Sequence, residues 1–528
     1  MGTNYAKHVG SRATPQSQKI EGTNQVKNSA GGFSWQVDCW TRLERFLILG
    51  NEKGSYYASE KKMTQQAAAA VRECYIQHPQ KTVLKIAEIS DSGRAPKNDP
   101  AIFALAMLSR DDVALKAVPV VCRTATHLFQ FVEAAKQFRG WGRGLRRAVA
   151  DWYTSKDDNA LAYQITKYQN RNGWSHHDLL HMCHPKPKTE GQSTCFRWAK
   201  TGEVMEGSPA ILEAVNEAAT CDEDRLCYLI HRHRLTREML PTEKLDSVAV
   251  WDALLENMPA TAMIRNLGKM TSIGLLKPLS VASNAVINRL GDEDVLKKAR
   301  IHPLAVLLAL SVYRKGCGVR GGLRWAPDAR IVDALDAAFD KTFASVEPTG
   351  KRYLLGLDVS GSMGGAYIAG THLSAREASA AMALVTVRTE PSTHAVGFTG
   401  GYGAVGSRRS ALTELAFSKR MSLGDAVAKV SNLPFGGTDC ALPMLYAIEK
   451  GLEVDVFVVY TDSETWMGSI HPSQALKKYR EKTGIPAKLI VCGMTANEFT
   501  IADPNDAGML DVVGFDSSVP QVMADFAS

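Results

Sequence analysis

Apolar residues recur three to four positions apart through most of residues 33–345, and that rhythm stops at Glu347-Pro348-Thr349-Gly350. Such spacing marks helices that bury one face. It is present in Ile102 to Leu108, Val113 to Val121, His127 to Phe138, Gly144 to Trp152, Leu226 to Leu235, Val248 to Met258 and Pro303 to Tyr313. Short punctuated connectors separate these runs, and almost no alternating strand pattern interrupts them. Short helices in series over this length predict an α-solenoid of stacked helix pairs, although no clean sequence period runs through it.

Beyond residue 350 the pattern changes. Tyr353 to Leu357, His394 to Phe398, Val454 to Tyr460 and Lys488 to Val491 read as strands, and Ser374 to Val387, Leu423 to Val430 and Pro472 to Arg480 as helices. Alternating strand and helix predicts an α/β domain with a mainly parallel sheet. The expected organisation is a flexible polar tail over 1–32, a helical domain over 33–346 and an α/β domain over 347–528.

Charge follows the same division. The chain carries 62 Lys and Arg against 55 Asp and Glu, a net +7. Residues 1–350 hold 47 basic and 37 acidic side chains, while residues 351–528 hold 15 and 18. A basic helical part beside a slightly acidic α/β part points to a polyanionic partner for the first. The longest apolar run, near Leu304 to Val312, is far short of the ~20 residues that cross a bilayer. The first 32 residues lack the apolar core of a signal peptide. Ten scattered Cys with no C-x-x-C pair suit a reducing, cytoplasmic setting.

In a parallel sheet the functional loops lie beyond the carboxyl ends of the strands. The first predicted strand ends in Asp358-Val359-Ser360-Gly361-Ser362, a D-x-S-x-S sequence. A second loop reads Gly436-Gly437-Thr438-Asp439, and a third Thr461-Asp462-Ser463-Glu464. Asp358, Ser360, Ser362, Thr438 and Asp462 together offer hard oxygen donors with few formal charges. That set suits an octahedral divalent cation such as Mg²⁺, with one position left for an outside carboxylate. Two enzyme readings fare worse. Ser360-Gly361-Ser362-Met363-Gly364 has Ser360 where a nucleophile elbow needs Gly, with Asp462 and His471 as weak triad candidates. No phosphate-binding G-x-x-x-x-G-K-[ST] run exists. The chain is therefore expected to be no enzyme.

Residues 136–171 hold eight basic side chains and three acids. Arg143, Arg146 and Arg147 are spaced to share one helix face. Trp141, Trp152, Tyr153, Tyr163, Tyr168 and Trp174 are interleaved with the charges. Arginine beside aromatic rings can hold phosphates and stack unpaired bases. His177, His181 and His184, with His176 and Cys183 nearby, raise a zinc site as a rival, but no fourth ligand stands at the usual spacing.

D-x-S-x-S with a downstream Thr and Asp resembles the metal-ion-dependent adhesion site of von Willebrand factor A domains. The sequences WGRGLRRAVADWY, TKYQNRNGWSHHDLL, HPKP, RNLGKMT, KKARIHP, ALDAAFDKTFASVEPTGKR and PAKLIVCGMTANEFTIADP resemble, in order, the Ro autoantigen ribonucleoprotein family with its TROVE domain. The resemblance spans about residues 33–516 and is poor over 185–225. It implies a ring of HEAT-like helical repeats joined to a von Willebrand A domain. It implies Y RNA bound outside the ring, with 3′ single-stranded ends of misfolded RNA in a basic hole, serving noncoding RNA quality control and stress survival. It further implies an exoribonuclease partner tethered through the RNA, and a monomer. Lys167, Arg171 and His184 match the family's Y RNA contacts. By position and charge, Arg265, Lys269, Lys297, Lys298, Arg300, Arg320 and Arg324 are expected to line the hole. The other reading is a protein-interaction scaffold that captures an unknown protein ligand at the metal rim, with RNA secondary.

Overall fold

The computed structural model describes residues 9, 13–50, 60–318, 322–343, 346–368, 372–400, 411–433, 436–516 and 518–528. Arg320 and the Arg408-Arg409 pair lie outside them. A long succession of helices runs from Cys39–Leu49 to Ala329–Lys341. Each packs mainly on helices near it in sequence: Asp99–Met107 on Ala125–Lys136, Asp158–Lys167 on Glu190–Thr201, Glu223–His233 on Val248–Asn257, and Pro303–Lys315 on Ala329–Lys341. Local signals set their ends. Asp157 accepts from Ala160 N at the start of Asp158–Lys167, and Ser175 with Asp178 forms a reciprocal cap on His176–Cys183, each satisfying donors that a helix start leaves unpaired. The expected helices are present, shifted by a few residues, except that Val113 to Val121 is split at Ala117 into Asp112–Lys116 and Val118–Val121, where Pro119 opens the second helix.

The succession closes on itself. Arg300, in the left-handed conformation at φ 47°, reaches both the carbonyl and the carboxylate of Asp91, 209 residues earlier. His302 Nε2 bonds to the carbonyl of Arg94 at 3.0 Å.

The α/β part is built on a six-stranded sheet. Its strands are β5 (Arg352–Asp358), β6 (Ser392–Phe398), β7 (Leu412–Glu414), β8 (Val456–Thr461), β9 (Lys488–Gly493) and β11 (Met509–Val513), in the order β11-β9-β8-β5-β6-β7. All neighbours are parallel except β7, which runs antiparallel at one edge. Every residue of β8 is buried, as a central parallel strand covered by helices on both faces requires. The helices Ala375–Thr389, Leu442–Lys450 and Pro472–Thr483 supply that cover.

The N-terminal segment corrects the expectation of a flexible tail. From Ala13 onward it is packed on the α/β domain, with Gln16, Gln25 and Asn28 buried. β1 (Val26–Lys27) and β2 (Phe33–Gln36) pair with β10 (Phe499–Thr500) in a small antiparallel sheet. Polar composition argued for a tail, but these polar groups are satisfied by loops more than 400 residues away. A two-stranded hairpin, β3 (Asn170–Arg171) and β4 (Trp174–Ser175), projects from the helical part.

Buried and half-buried arginines bind the parts together. Arg45 is 1% exposed; its guanidinium donates to both carboxylate oxygens of Asp511 at 2.7 and 2.8 Å and to the carbonyls of Asn497 and Phe499 at 3.1 and 2.7 Å. Arg94 pairs with Glu44 and, at 3.2 Å, with Asp516. On the far side Arg388 reaches Asp336, Asp340 and the carbonyl of Met421. Removing one partner of a buried ion pair costs far more than removing an exposed one. Arg45→Ala should therefore lower unfolding stability by about 3–5 kcal/mol in a urea titration. Arg314→Ala, whose pair with Asp425 is half exposed, should change it by less than about 1 kcal/mol. Equal losses would show that Arg45 does not tie the domains.

Candidate metal rim and nucleic-acid interface

The parallel order brings three sequence loops to one end of the sheet. β5 delivers Asp358, Ser360 and Ser362, β8 delivers Asp462, and the loop before helix Leu442–Lys450 delivers Thr438. All five are at most 1% exposed. Ser360 N donates to Asp358 Oδ1 at 2.9 Å, and Thr461 Oγ1 donates to Asp358 Oδ2 at 2.6 Å. The Ser360 and Ser362 hydroxyls lie 3.0 Å apart, and the Ser362 hydroxyl works to lower the Asp462 pKa. Arg376 reaches in from helix Ala375–Thr389 to hold the carbonyls of Val359 and Ser360. Among the described residues, Thr438 Oγ1 and Asp462 Oδ2 are buried without a hydrogen-bond partner. Native structures rarely leave such atoms unmatched. Two carboxylates and three hydroxyls converging with two oxygens unused fit a hard divalent cation.

Electrostatics agree. Burial first, and the Asp358 charge second, push the Asp462 carboxyl up to about 7. Burial likewise raises Asp358, against the pull of hydroxyl and backbone hydrogen bonds. Asp439, beside Thr438, is pushed up to about 6 by burial. Like carboxylates in a dry site resist ionising together unless a cation joins them. Sequence reasoning missed Arg376 and Gln16 as parts of the rim, since nothing local marks them, and gave Asp439 no role although it stands in the Thr438 loop. It did not foresee that the rim would be covered either. The backbone N–H groups of Trp466 and Met467 donate to Thr438 O at 3.1 and 3.0 Å, which draws the loop after Asp462 over the donors.

The basic face sorts differently from expectation. Arg143, Arg146 and Arg147 do share the exposed face of helix Arg143–Thr154, opposite buried Leu145, Ala148 and Val149. Trp152 and Tyr153, read as interleaved stacking rings, are instead fully buried core residues. His176 is core too: Tyr153 OH meets its Nδ1 at 2.8 Å, and burial lowers its pKa to about 3. His177 and His181 stack at 6.4 Å, and His181 and His184 lie 5.8 Å apart. Among the described residues no group of three His, Cys, Asp or Glu is placed to hold a metal ion.

Lys167 and Arg171 come together on the wall of an open groove of about 810 Å³, with Asn170, His177 and Glu238. Lys167 Nζ donates to Tyr163 OH at 2.8 Å and sits over the Tyr163 and Tyr168 rings. Burial alone would lower its pKa, but the Tyr163 hydroxyl, the two rings and Glu238 hold it above the ordinary value. His184 is exposed at the other end of helix His176–Cys183, in the left-handed conformation, and does not line that groove. Arg265 and Lys269 line a second cavity of about 570 Å³ with Lys97, Arg237 and Trp325. Lys297 and Arg300 line a third of about 230 Å³ at the closure of the helical run. Lys298 and Arg324 are exposed outside both.

Comparison with known proteins covers both parts. The Ro60 vWA domain family matches residues 352–527, and the TROVE domain family matches residues 26–217 and 230–314. The break after 217 falls within the stretch where the sequence resemblance is poor. RNA-binding protein RO60 of Caenorhabditis elegans is 39% identical over 98% of this chain and 92% of its own length. RNA-binding protein RO60 of Deinococcus radiodurans is 40% identical over 97% of each. The crystal structure of the Deinococcus radiodurans RO (RSR) protein aligns with a TM-score of 0.67 at 40% identity, over 93% of this chain and 99% of that one.

The raised carboxyl carries a sign that can be measured. A group whose folded pKa lies above its ordinary value adds stability while protonated and loses it as it ionises. With chelator present, the Asp462 carboxyl should contribute a fall of about 2–4 kcal/mol in unfolding stability as pH rises from about 4 to about 7, set against the opposite contribution of buried histidines such as His176. Asp462→Asn should flatten that fall, matching wild type near pH 4 and exceeding it near pH 8. Parallel curves for the two proteins would refute the buried-pair reading.

Proposed function

The chain belongs to the Ro60 family, and on that premise we propose that it is an RNA-binding protein with no catalysis of its own, acting as a scaffold in noncoding RNA quality control and stress survival. A small structured RNA, of the Y RNA class, binds the outer surface around Lys167, Arg171 and His184. Single-stranded 3′ ends of misfolded RNA enter the space bounded by the basic side chains around Arg265 and Lys269. An exoribonuclease is recruited through the RNA rather than by direct contact.

The observation that carries this reading is the placement of Lys167 and Arg171 on one groove wall. Arg171, on the projecting hairpin, is exposed, and its planar fork suits a phosphate. Lys167 is half-buried against two tyrosines, so less side-chain freedom is lost when it meets one. Arg143, Arg146 and Arg147 extend the positive surface nearby in sequence. Phosphate contacts make binding strongly salt-dependent, because each neutralised phosphate releases counterions. Lys167→Ala with Arg171→Ala should weaken binding of a structured small RNA at least tenfold and reduce the slope of log affinity against log salt by about 2. Binding of an unstructured 3′ tail should be spared. Unchanged small-RNA affinity would place the outer site elsewhere.

The same proposal puts a divalent cation, Mg²⁺, among Asp358, Ser360, Ser362, Thr438 and Asp462. The unpartnered Thr438 and Asp462 oxygens support it. When bound, the cation supplies a positive centre that lets both carboxylates stay ionised in a dry site. The burial of every donor disfavours the alternative in which the rim captures a protein ligand through an outside carboxylate, because the Trp466-Met467 backbone would first have to leave Thr438. Ser360→Ala with Ser362→Ala should abolish Mg²⁺ uptake in calorimetry and leave RNA affinity within about twofold. Loss of RNA binding in that variant would tie the rim to RNA.

A further inference from the structure

We propose that the N-terminal segment 13–36 is a working part of the metal rim, and that Gln16 is the residue that positions its Thr438 loop. This rests on the cation reading above.

Gln16 is fully buried, and every hydrogen-bonding position of its side-chain amide is used. Its Nε2 donates to Asp439 Oδ1 at 2.7 Å and to Ile470 O at 2.8 Å. Its Oε1 accepts from Gly468 N at 3.1 Å and from Thr465 Oγ1. Thr465 Oγ1 in turn accepts from Cys440 N at 3.1 Å. One side chain from the start of the chain thus joins the loop that carries Thr438 to the loop that follows Asp462. The same two loops also bond directly, through Trp466 and Met467 N–H on Thr438 O, Cys440 N on Thr465 Oγ1, and Thr465 Oγ1 at 3.4 Å from Thr438 O, and Gln16 braces that seam from outside both loops.

The rest of the segment anchors this joint. Gln16 N donates to Gly468 O at 2.9 Å, and Phe33 N returns to Gln16 O at 2.8 Å. Asn28 Nδ2 donates to Thr465 O at 2.8 Å, and Ser34 Oγ donates to Ser463 O at 3.1 Å. His471 Nε2 lies 2.8 Å from Gln18 O. Gly32 comes so close that a Cβ there would sit 2.0 Å from Thr465 O, so the segment follows the loop at backbone contact. Ser463, between Asp462 and Thr465, is held in the left-handed conformation at φ 59°, which the grip on its carbonyl helps to maintain. The spacing of two of the cation's donor loops is therefore set from the N-terminus. A cation that favours that spacing must tighten the segment by the same factor that the segment tightens the cation.

The experiment uses the full chain. Mg²⁺ affinity is measured by calorimetry for wild type and for Gln16→Met, which keeps the length and removes all four hydrogen bonds. Amide exchange is measured on wild type with and without Mg²⁺, which needs no variant to fold. The expected result is a tenfold or greater loss of affinity in Gln16→Met, with Mg²⁺ slowing exchange at Gln16, Asn28 and Phe33 by a similar factor. A role confined to general stability would not make those amides respond to the cation. Mg²⁺ protection of residues 358–362 without any change in the segment, together with wild-type affinity in Gln16→Met, would overturn the coupling and leave the cation site standing. No Mg²⁺ uptake by wild type would remove the cation reading, and this inference with it.

Discussion

Arg45 and Arg94 make the constraint on which the two-part architecture depends. A guanidinium as buried as Arg45 must meet acceptors on nearly every N–H, because an unmatched buried charge costs several kcal/mol. Its acceptors all come from the α/β domain, so helix Cys39–Leu49 has one docking geometry rather than a family of them. Arg94 then joins three pieces at one residue. Its side chain reaches Glu44 in that first helix and Asp516 after β11, and its carbonyl meets His302 at the start of helix Pro303–Lys315. Closure of the helical run and docking of the α/β domain are consequently one arrangement. Arg388, gripping Asp336 and Asp340, completes it from the other side.

What was legible in the sequence followed from how far a signal reaches along the chain. Helical spacing and strand alternation are local, and they located several helices and the central strands within a few residues, while helices such as Glu60–Gln77 and Val281–Gly291 were missed. D-x-S-x-S is local too, and the rule that loops gather at strand ends sufficed to collect Thr438 and Asp462. The N-terminal segment failed for the opposite reason. Gln16, Gln25 and Asn28 read as solvated because their partners stand hundreds of residues away, and composition cannot see partners. Trp152, Tyr153 and His176 failed in a related way. An aromatic ring between arginines looks the same in sequence whether it faces solvent or the core, and helix Arg143–Thr154 turns Trp152 and Tyr153 inward. The edge strand β11 escaped notice because Met509-Leu510-Asp511 is half-exposed and carries the carboxylate that Arg45 needs.

The two parts of the chain treat charge in contrasting ways. On the helical part the cations stay in or near water, and several are exposed on open surface, as Arg143, Arg146 and Arg171 are. Cations so placed attract a polyanion over a distance, and salt weakens that attraction. In the α/β part the charges that matter are acidic, dry and close together. Burial raises the pKa values of Asp358, Asp462 and Asp439, and the Asp358 charge raises Asp462 further. Such a site is stable only when it is partly protonated or holds a cation.

That contrast bears on how the parts act together. The N-terminal segment touches both systems. It grips the loops around Thr465 and, three residues after Trp35 and Gln36 pair with β10, it becomes helix Cys39–Leu49. That helix carries Arg45 and Glu44, the residues that tie the α/β domain and the closure of the helical run. Any change in the rim that shifts the segment is thus delivered, within a dozen residues of chain, to the joint that holds the basic helical part closed. Coupling of this kind needs an element with contacts at both sites and no slack between them. The segment meets that condition by successive anchors: Phe33 N donates to Gln16 O, Val37 N donates to Glu498 O of the α/β domain, and Asp38 caps the helix by accepting from Thr41 N.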